Sequence, residues 1–212
     1  MSESGSLFAG EATDGTESWR VDFGDQFLSA TPAVADGVVY AGANETFRAL
    51  DAADGSELWR ATFDGGRILQ SIPAVADGRA FVNSGETLHA FDAADGTELW
   101  TRRIGGAVVM TLAVDGDTVY AVGGDYVYAF DVADGTRHWR ADVGFGRWVV
   151  VGDDAVFARG ANDAIVALDP EDGAELWRQA GVDSTRAPAV AGEYLFVGDF
   201  EGRISAIGPV PE

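Results

Sequence analysis

The chain has 212 residues, no cysteine and no lysine; its 35 acidic residues face 14 basic ones, all arginine, for a formal net charge of −21. Disulfides, thiolate catalysis and cysteine-ligated zinc are thereby excluded, and this charge repels nucleic acid and anionic membrane surfaces. There is no run of about 18 apolar residues able to span a bilayer, and Met1-Ser-Glu-Ser-Gly-Ser carries neither the basic nor the apolar stretch of a secretory signal. The expected address is therefore cytoplasmic, or extracellular if the chain belongs to a longer protein.

In chain order, residues 1–10 read as a flexible segment, and Thr13-Asp-Gly-Thr-Glu-Ser-Trp19-Arg-Val-Asp-Phe23 as a turn followed by one strand. Pro32 to Phe63 then shows a full unit. Pro32-Ala-Val-Ala-Asp-Gly ends a short apolar stretch in an Asp-Gly turn and leads into Val38-Val-Tyr-Ala-Gly, a hairpin signal. Thr46-Phe-Arg-Ala-Leu alternates as a third strand, Asp51-Ala-Ala-Asp-Gly turns, and Glu57-Leu-Trp-Arg-Ala-Thr-Phe makes a fourth. These strands are called A to D. The unit returns over Pro73–Ile104, Leu112–Val143 and Val149–Val182, with Tyr40, Phe81, Tyr120, Phe157 and Phe196 at one position of strand B. From Pro188 to Gly208 the chain supplies strands A, B and C only, and 209–212 read as a tail.

The phrase Ala-x-Asp-x-x-Asp-Gly-x-x-x-Trp closes each unit at Ala49–Trp59, Ala90–Trp100 and Ala129–Trp139, with a relaxed copy at Ala167–Trp177 and a shortened echo at Thr13–Trp19. Trp19, Trp59, Trp100, Trp139 and Trp177 stand 40, 41, 39 and 38 residues apart. Four antiparallel strands per unit of this period predict the blades of an all-β propeller. Pairing the head strand around Trp19 with the three tail strands predicts a closed five-bladed ring over 11–208 as one domain, leaving no sheet edge exposed.

This phrase, following a Pro-Ala-Val-x-x-Gly hairpin, resembles the repeat of pyrroloquinoline-quinone (PQQ)-type β-propellers, in which it is known as a tryptophan-docking motif. The resemblance implies that Trp19, Trp59, Trp100, Trp139 and Trp177 are structural, each wedged between neighbouring blades. It also implies PQQ and Ca²⁺ in the family's dehydrogenases, which are longer, usually have about eight blades, and carry a vicinal cysteine pair, Ca²⁺ ligands and a catalytic Asp. With no cysteine and a smaller, narrower ring, this chain is expected to bind neither.

The residues point to no catalytic group. The Asp51-x-x-Asp54 spacing does not match a Ca²⁺-wrapping loop, and His89 and His138 stand singly, without a second ligand at metal spacing. No Ser sits in a Gly-x-Ser-x-Gly elbow, and Gly105-Gly106 and Gly123-Gly124 open no helix that could cradle phosphate. What breaks the repeat is the approach to strand A, where Arg147, Trp148 and Arg186 replace small or apolar residues. Two guanidiniums and an indole there suit an anionic or aromatic ligand or a partner's carboxylate; the competing reading pairs the arginines with acids such as Asp183 and puts Trp148 in the core. Arg67 and Gln70, and with a weaker claim Asn44, Asn83, Asp125, Asn162 and Asp199, complete the rim candidates. The function these features favour is a noncatalytic, monomeric scaffold for a protein or peptide partner; the alternative is a quinoprotein-like dehydrogenase relative or part of a larger extracellular propeller.

The Asp-rich, lysine-free composition is that of proteins adapted to concentrated salt, which screens self-repulsion. The unfolding midpoint is expected to rise between low-salt buffer and molar KCl; a midpoint that does not move refutes this adaptation.

Overall fold

The computed structural model describes residues 5–24, 31–65, 68, 71–105, 111–182, 187–192, 194–199 and 201–208. The described residues form antiparallel strands, with one short 3-10 turn among them at Ala161–Asp163. No helix among the described residues is long and apolar enough to cross a membrane. The chain divides into two compact units, Met1–Arg103 and Ile104–Glu212.

The first unit holds a two-stranded sheet of β1 (Ser6–Gly10) and β2 (Glu17–Asp22), followed by two four-stranded sheets. One runs β3 (Ala33–Ala35), β4 (Val38–Ala43), β5 (Thr46–Asp51) and β6 (Glu57–Thr62). The other runs β7 (Ala74–Ala76), β8 (Arg79–Ser84), β9 (Thr87–Asp92) and β10 (Glu98–Arg103). In the second unit, β11 (Leu112–Asp115) to β14 (Arg137–Asp142), through β12 (Thr118–Gly123) and β13 (Tyr126–Asp131), make one such sheet. β15 (Val149–Val151), β16 (Val156–Arg159), β17 (Ile165–Leu168) and β18 (Glu175–Gln179) make the next. A three-stranded sheet of β19 (Ala189–Ala191), β20 (Tyr194–Gly198) and β21 (Ile204–Ile207) ends the chain.

The A-to-D strand order in each full unit is thus as the turn chemistry dictates. Asp36 and Gly37 both take positive φ, 49° and 77°, the conformation of a tight hairpin turn that an Asp-Gly pair adopts most readily. The Asp-x-x-Asp-Gly turn is satisfied from within. The Asp51 carboxylate accepts from the Ala53 amide at 2.8 Å, the Asp54 carboxylate from the Ser56 amide at 2.8 Å, and the Asp51 carbonyl from the Gly55 amide at 2.9 Å. The same bonds recur at Asp92, Asp131 and Asp169. Hydrogen bonds from the Ser56 hydroxyl and amide hold the Asp54 carboxyl below its ordinary range, and those of Thr97 do the same for Asp95. These aspartates are turn residues, as the sequence reading has them.

Two expectations need correction. Residues 1–10 are not wholly a flexible segment, since Ser6–Gly10 forms β1 and pairs with β2 in the register of every other C and D pair: Ala9 lies opposite Trp19 as Ala49 lies opposite Trp59. Ala9-x-Glu11-x-x-Asp14-Gly15-x-x-x-Trp19 is a full copy of the phrase in which Glu11 replaces Asp, and the Glu11 carbonyl still accepts from the Gly15 amide at 2.8 Å. The second correction follows from the first. A five-bladed closure requires β2 as the fourth strand beside β21, but β2 takes β1 as its partner and β21 takes β20; the head-to-tail pairing is not found among the described residues, and the strands form six separate sheets.

The buried interior of the four-stranded sheets is mostly apolar. Tyr40, Phe47, Ala49, Trp59, Ala80, Val82 and Phe91 form one buried cluster between neighbouring sheets of the first unit. Tyr120, Val127, Ala129, Trp139, Val156, Val166 and Leu168 form its counterpart in the second. A register shift beside the Ala of each C strand leaves out the residue before the Trp, so Leu58, Leu99 and Leu176 face solvent.

Candidate binding rim

Three of the repeat indoles, Trp19, Trp59 and Trp139, reach forward to the next sheet's turn. Trp19 Nε1 donates to the Ala52 carbonyl, Trp59 Nε1 to that of Ala93 and Trp139 Nε1 to that of Pro170, each at 2.9 Å. The ring lies flat on the turn glycine: a Cβ added to Gly55, Gly96 or Gly173 would come within 2.7, 2.6 and 2.6 Å of the rings of Trp19, Trp59 and Trp139. The Trp residues and the Asp-Gly turns are therefore used up in holding sheets together, and any site has to be assembled from residues outside the phrase.

The clearest departure from the repeat lies in the second unit, where the 143–148 connection from β14 to β15 meets the loop between β16 and β17. That loop has five residues, Gly160 to Ala164, whereas the loops between β4 and β5, β8 and β9, and β12 and β13 have two. The connection is pinned by backbone bonds: Val143 N to the Asp125 carbonyl at 2.9 Å, Gly146 N to the Gly124 carbonyl at 3.1 Å, and Ala161 N to the Val143 carbonyl at 3.0 Å. Gly144 has φ +74°, and a Cβ there would sit 2.6 Å from that of Ala161, so the close approach of the two loops needs this glycine.

On this fixed loop Phe145 is 60% exposed and the Arg147 guanidinium lies 5.6 Å from its ring centroid. Arg159, nearly buried at the end of β16, forms an ion pair with Asp163, and Arg178 pairs with Glu175 at 2.8 Å while reaching the Val143 carbonyl at 3.5 Å. At the position of Arg159 the other full sheets place the uncharged residues Gly42, Asn83 and Val122. The arrangement offers arginine hydrogen-bond donors and an exposed aromatic face, groups suited to a carboxylate-bearing or aromatic partner.

Of the rim residues read from the sequence, Arg147 stands here, but Trp148 does not line the rim. Its side chain is 1% exposed and packs with Ile165, Leu195 and Val197 just ahead of β15, while Arg147 beside it is half-buried. Arg67, Gln70 and Arg186, with Asp183, lie outside the described residues. Asn83 is buried and donates to the Gly85 carbonyl at 3.0 Å. Asn44 holds a loop through its carbonyl, which accepts from Ile68 N at 2.6 Å. Asp199 closes a turn on Arg203 at 2.9 Å, whose amide and guanidinium hold its carboxyl below the ordinary range. Asp125 and Asn162 are exposed beside the 143–148 connection. Phe145, Arg159 and Arg178 escape a sequence reading; the signal available for them is the long loop after β16 and an arginine where the repeat has an uncharged residue.

The chain has no cysteine, and among the described residues no group of three or more His, Asp or Glu could hold a metal. His89 bonds Glu98 at 2.7 Å and packs its ring 4.6 Å from that of Phe63, and His138 stands 3.9 Å from Asp131.

The family model described as outer membrane protein assembly factor BamB matches residues 1–62 and 43–207. Among solved structures, BamB from Moraxella catarrhalis is similar with a TM-score of 0.75 and 23% identity, over 97% of this chain and 68% of that one. A computationally designed protein, Ika8, gives a TM-score of 0.80 at 15% identity, over 92% and 62%. The quinohemoprotein alcohol dehydrogenase from Comamonas testosteroni gives 0.64 at 20% identity, over 88% and 43%. No curated protein matches the chain. At these identities the solved structures speak for the fold, a β-propeller of repeated four-stranded sheets.

Proposed function

Because the chain belongs to the family of PQQ-like repeat β-propellers described as outer membrane protein assembly factor BamB, we propose that it is a noncatalytic scaffold, monomeric by itself, that binds a protein partner through the rim around Arg147. The observation that carries this reading is the exposed Phe145 with the Arg147 guanidinium over it, on a connection fixed by three backbone hydrogen bonds. A rigid loop loses little entropy on binding, and aromatic and arginine side chains are the commonest anchors of protein interfaces. In a chain of net charge −21, an outward arginine on such a loop favours a partner that presents carboxylates. The family description names an outer-membrane process, which favours an address outside the cytoplasm over the cytoplasmic one read from the sequence.

The test is site-specific crosslinking. A photoreactive phenylalanine analogue at position 145 is expected to trap a discrete partner, and Arg147→Ala together with Arg186→Ala to reduce the yield at least about tenfold with the unfolding midpoint unchanged, the loss of about 1.4 kcal/mol of binding. Full retention of the partner by the folded double variant refutes the rim as its site.

A further inference from the structure

Asp-Gly pairs occur in this chain in two settings, and the first unit holds both. In the turns between C and D strands the pair is held at both of its reactive groups. The amides of Gly15, Gly55 and Gly96 donate to the carbonyls of Glu11, Asp51 and Asp92 at 2.8, 2.9 and 2.9 Å. The carboxylates of Asp14, Asp54 and Asp95 accept from the amides of Thr16, Ser56 and Thr97 at 3.0, 2.8 and 2.8 Å. Together with the hydroxyls of the same Thr and Ser residues, these bonds hold all three carboxyls below their ordinary range.

The turns between A and B strands lack both restraints. Asp36-Gly37 links β3 to β4, and Asp77-Gly78 links β7 to β8. All four residues are exposed, and all four have left-handed backbone, with φ of 49° and 48° at the aspartates and 77° and 68° at the glycines. Among the described residues neither carboxylate accepts a hydrogen bond and neither glycine amide donates one. Only the carbonyls are engaged: Arg79 Nη1 donates to that of Asp77 at 3.1 Å, and the Ala52 and Ala93 amides donate to those of Gly37 and Gly78 at 2.8 Å.

We propose that Asp36-Gly37 and Asp77-Gly78 are sites of spontaneous isoaspartate formation in the folded protein, and that the C-to-D turns protect Asp14, Asp54 and Asp95 from the same reaction. The glycine amide nitrogen attacks Cγ of the protonated Asp side chain; the N–Cγ bond forms, the Cγ–OH bond breaks, and water leaves with the amide proton, closing a succinimide ring. Water then adds at the former main-chain carbonyl and breaks its bond to nitrogen, so that the chain runs through Cγ, one methylene longer and with its charge unchanged. Glycine permits the attack because no Cβ crowds its nitrogen. A hydrogen-bonded amide keeps its proton, and a pinned, ionised carboxylate neither turns toward the nitrogen nor takes up the proton it must lose as water, so either restraint slows ring closure. The Arg79 guanidinium acts the other way at Asp77, stabilising the negative charge that spreads onto this carbonyl oxygen as the Gly78 amide gives up its proton. The change reaches the contact between sheets: the Gly78 carbonyl is bonded to the Ala93 amide, and the Ala93 carbonyl receives Trp59 Nε1, so a methylene inserted at Asp77 strains the turn on which that indole docks. None of this depends on the rim around Arg147.

The test ages the full chain in warm, mildly acidic buffer with molar KCl, folded in one arm and unfolded by urea in the other. Isoaspartate is then labelled by an isoaspartyl methyltransferase with radioactive S-adenosylmethionine and assigned peptide by peptide. In the unfolded arm the five pairs are expected to react at similar rates, because each presents the same Asp-Gly dipeptide. In the folded arm, with each site measured against its own unfolded rate, Asp36 and Asp77 are expected to gain label at least about tenfold faster than Asp14, Asp54 and Asp95. Labelling of the three C-to-D turns as fast as the two A-to-B turns overturns the proposal. So does a folded chain in which Asp36 and Asp77 stay unlabelled while the unfolded chain reacts.

Discussion

Gly96→Ala is expected to destabilise the protein by about 3 kcal/mol, read as a lowered urea midpoint in molar KCl, whereas Gly78→Ala costs about 1 kcal/mol. Both glycines have positive φ, +74° and +68°, so both substitutions pay the left-handed penalty of an L-residue, about 1 kcal/mol. Only Gly96 has a neighbour in the way: its added Cβ would stand 2.6 Å from Trp59 Cδ2, while nothing lies within 4 Å at Gly78. Forcing a methyl into a packed contact adds roughly 1–3 kcal/mol. Equal costs at the two positions refute the indole-on-glycine contact as the reason for the conserved spacing within the repeat.

Trp59→Ala is expected to cost about 4 kcal/mol and Trp59→Phe about 2 kcal/mol, the latter because a ring remains but the bond to Ala93 is lost. Trp59 packs against Phe47, Tyr40 and Phe91 with ring centroids 5.6, 6.0 and 6.0 Å away, and it joins two sheets. The Ala93 carbonyl retains the Tyr40 hydroxyl at 3.4 Å, which moderates the loss in the Phe variant. Trp177→Phe provides the contrast: without an acceptor among the described residues and with a third of its surface in solvent, it is expected to change the midpoint by less than about 0.5 kcal/mol. A Trp177→Phe cost as large as that of Trp59→Phe contradicts the difference in docking.

Most of the strand pattern is legible in the sequence because short-range chemistry sets it. Asp-Gly pairs impose the hairpins, and the Asp-x-x-Asp-Gly phrase satisfies its own backbone within five residues. What escaped the sequence is long-range. β1 was hidden because Gly10 and Glu11 stand where the other copies have a large apolar residue or a branched aliphatic and an Asp, and only its pairing with β2 reveals the phrase. The head-to-tail closure rested on complementary fragments, but a D strand has one C-strand partner, and β1 already holds that place. Trp148 reads as a rim residue because nothing in the repeat matches it, but its side chain packs inward against Ile165, Leu195 and Val197. Phe145 and Arg159 gain their meaning from the longer loop after β16, whose contacts with the 143–148 connection join segments that the sequence shows only as separate irregularities.

The forward reach of the indoles also gives the molecule a direction in time. Trp19, Trp59 and Trp139 find their carbonyl acceptors 33, 34 and 31 residues downstream. A nascent chain leaving the ribosome therefore exposes each indole until the following turn emerges, and then locks it. Folding during synthesis is expected to follow chain order, an indole docking once the turn that accepts from it has emerged.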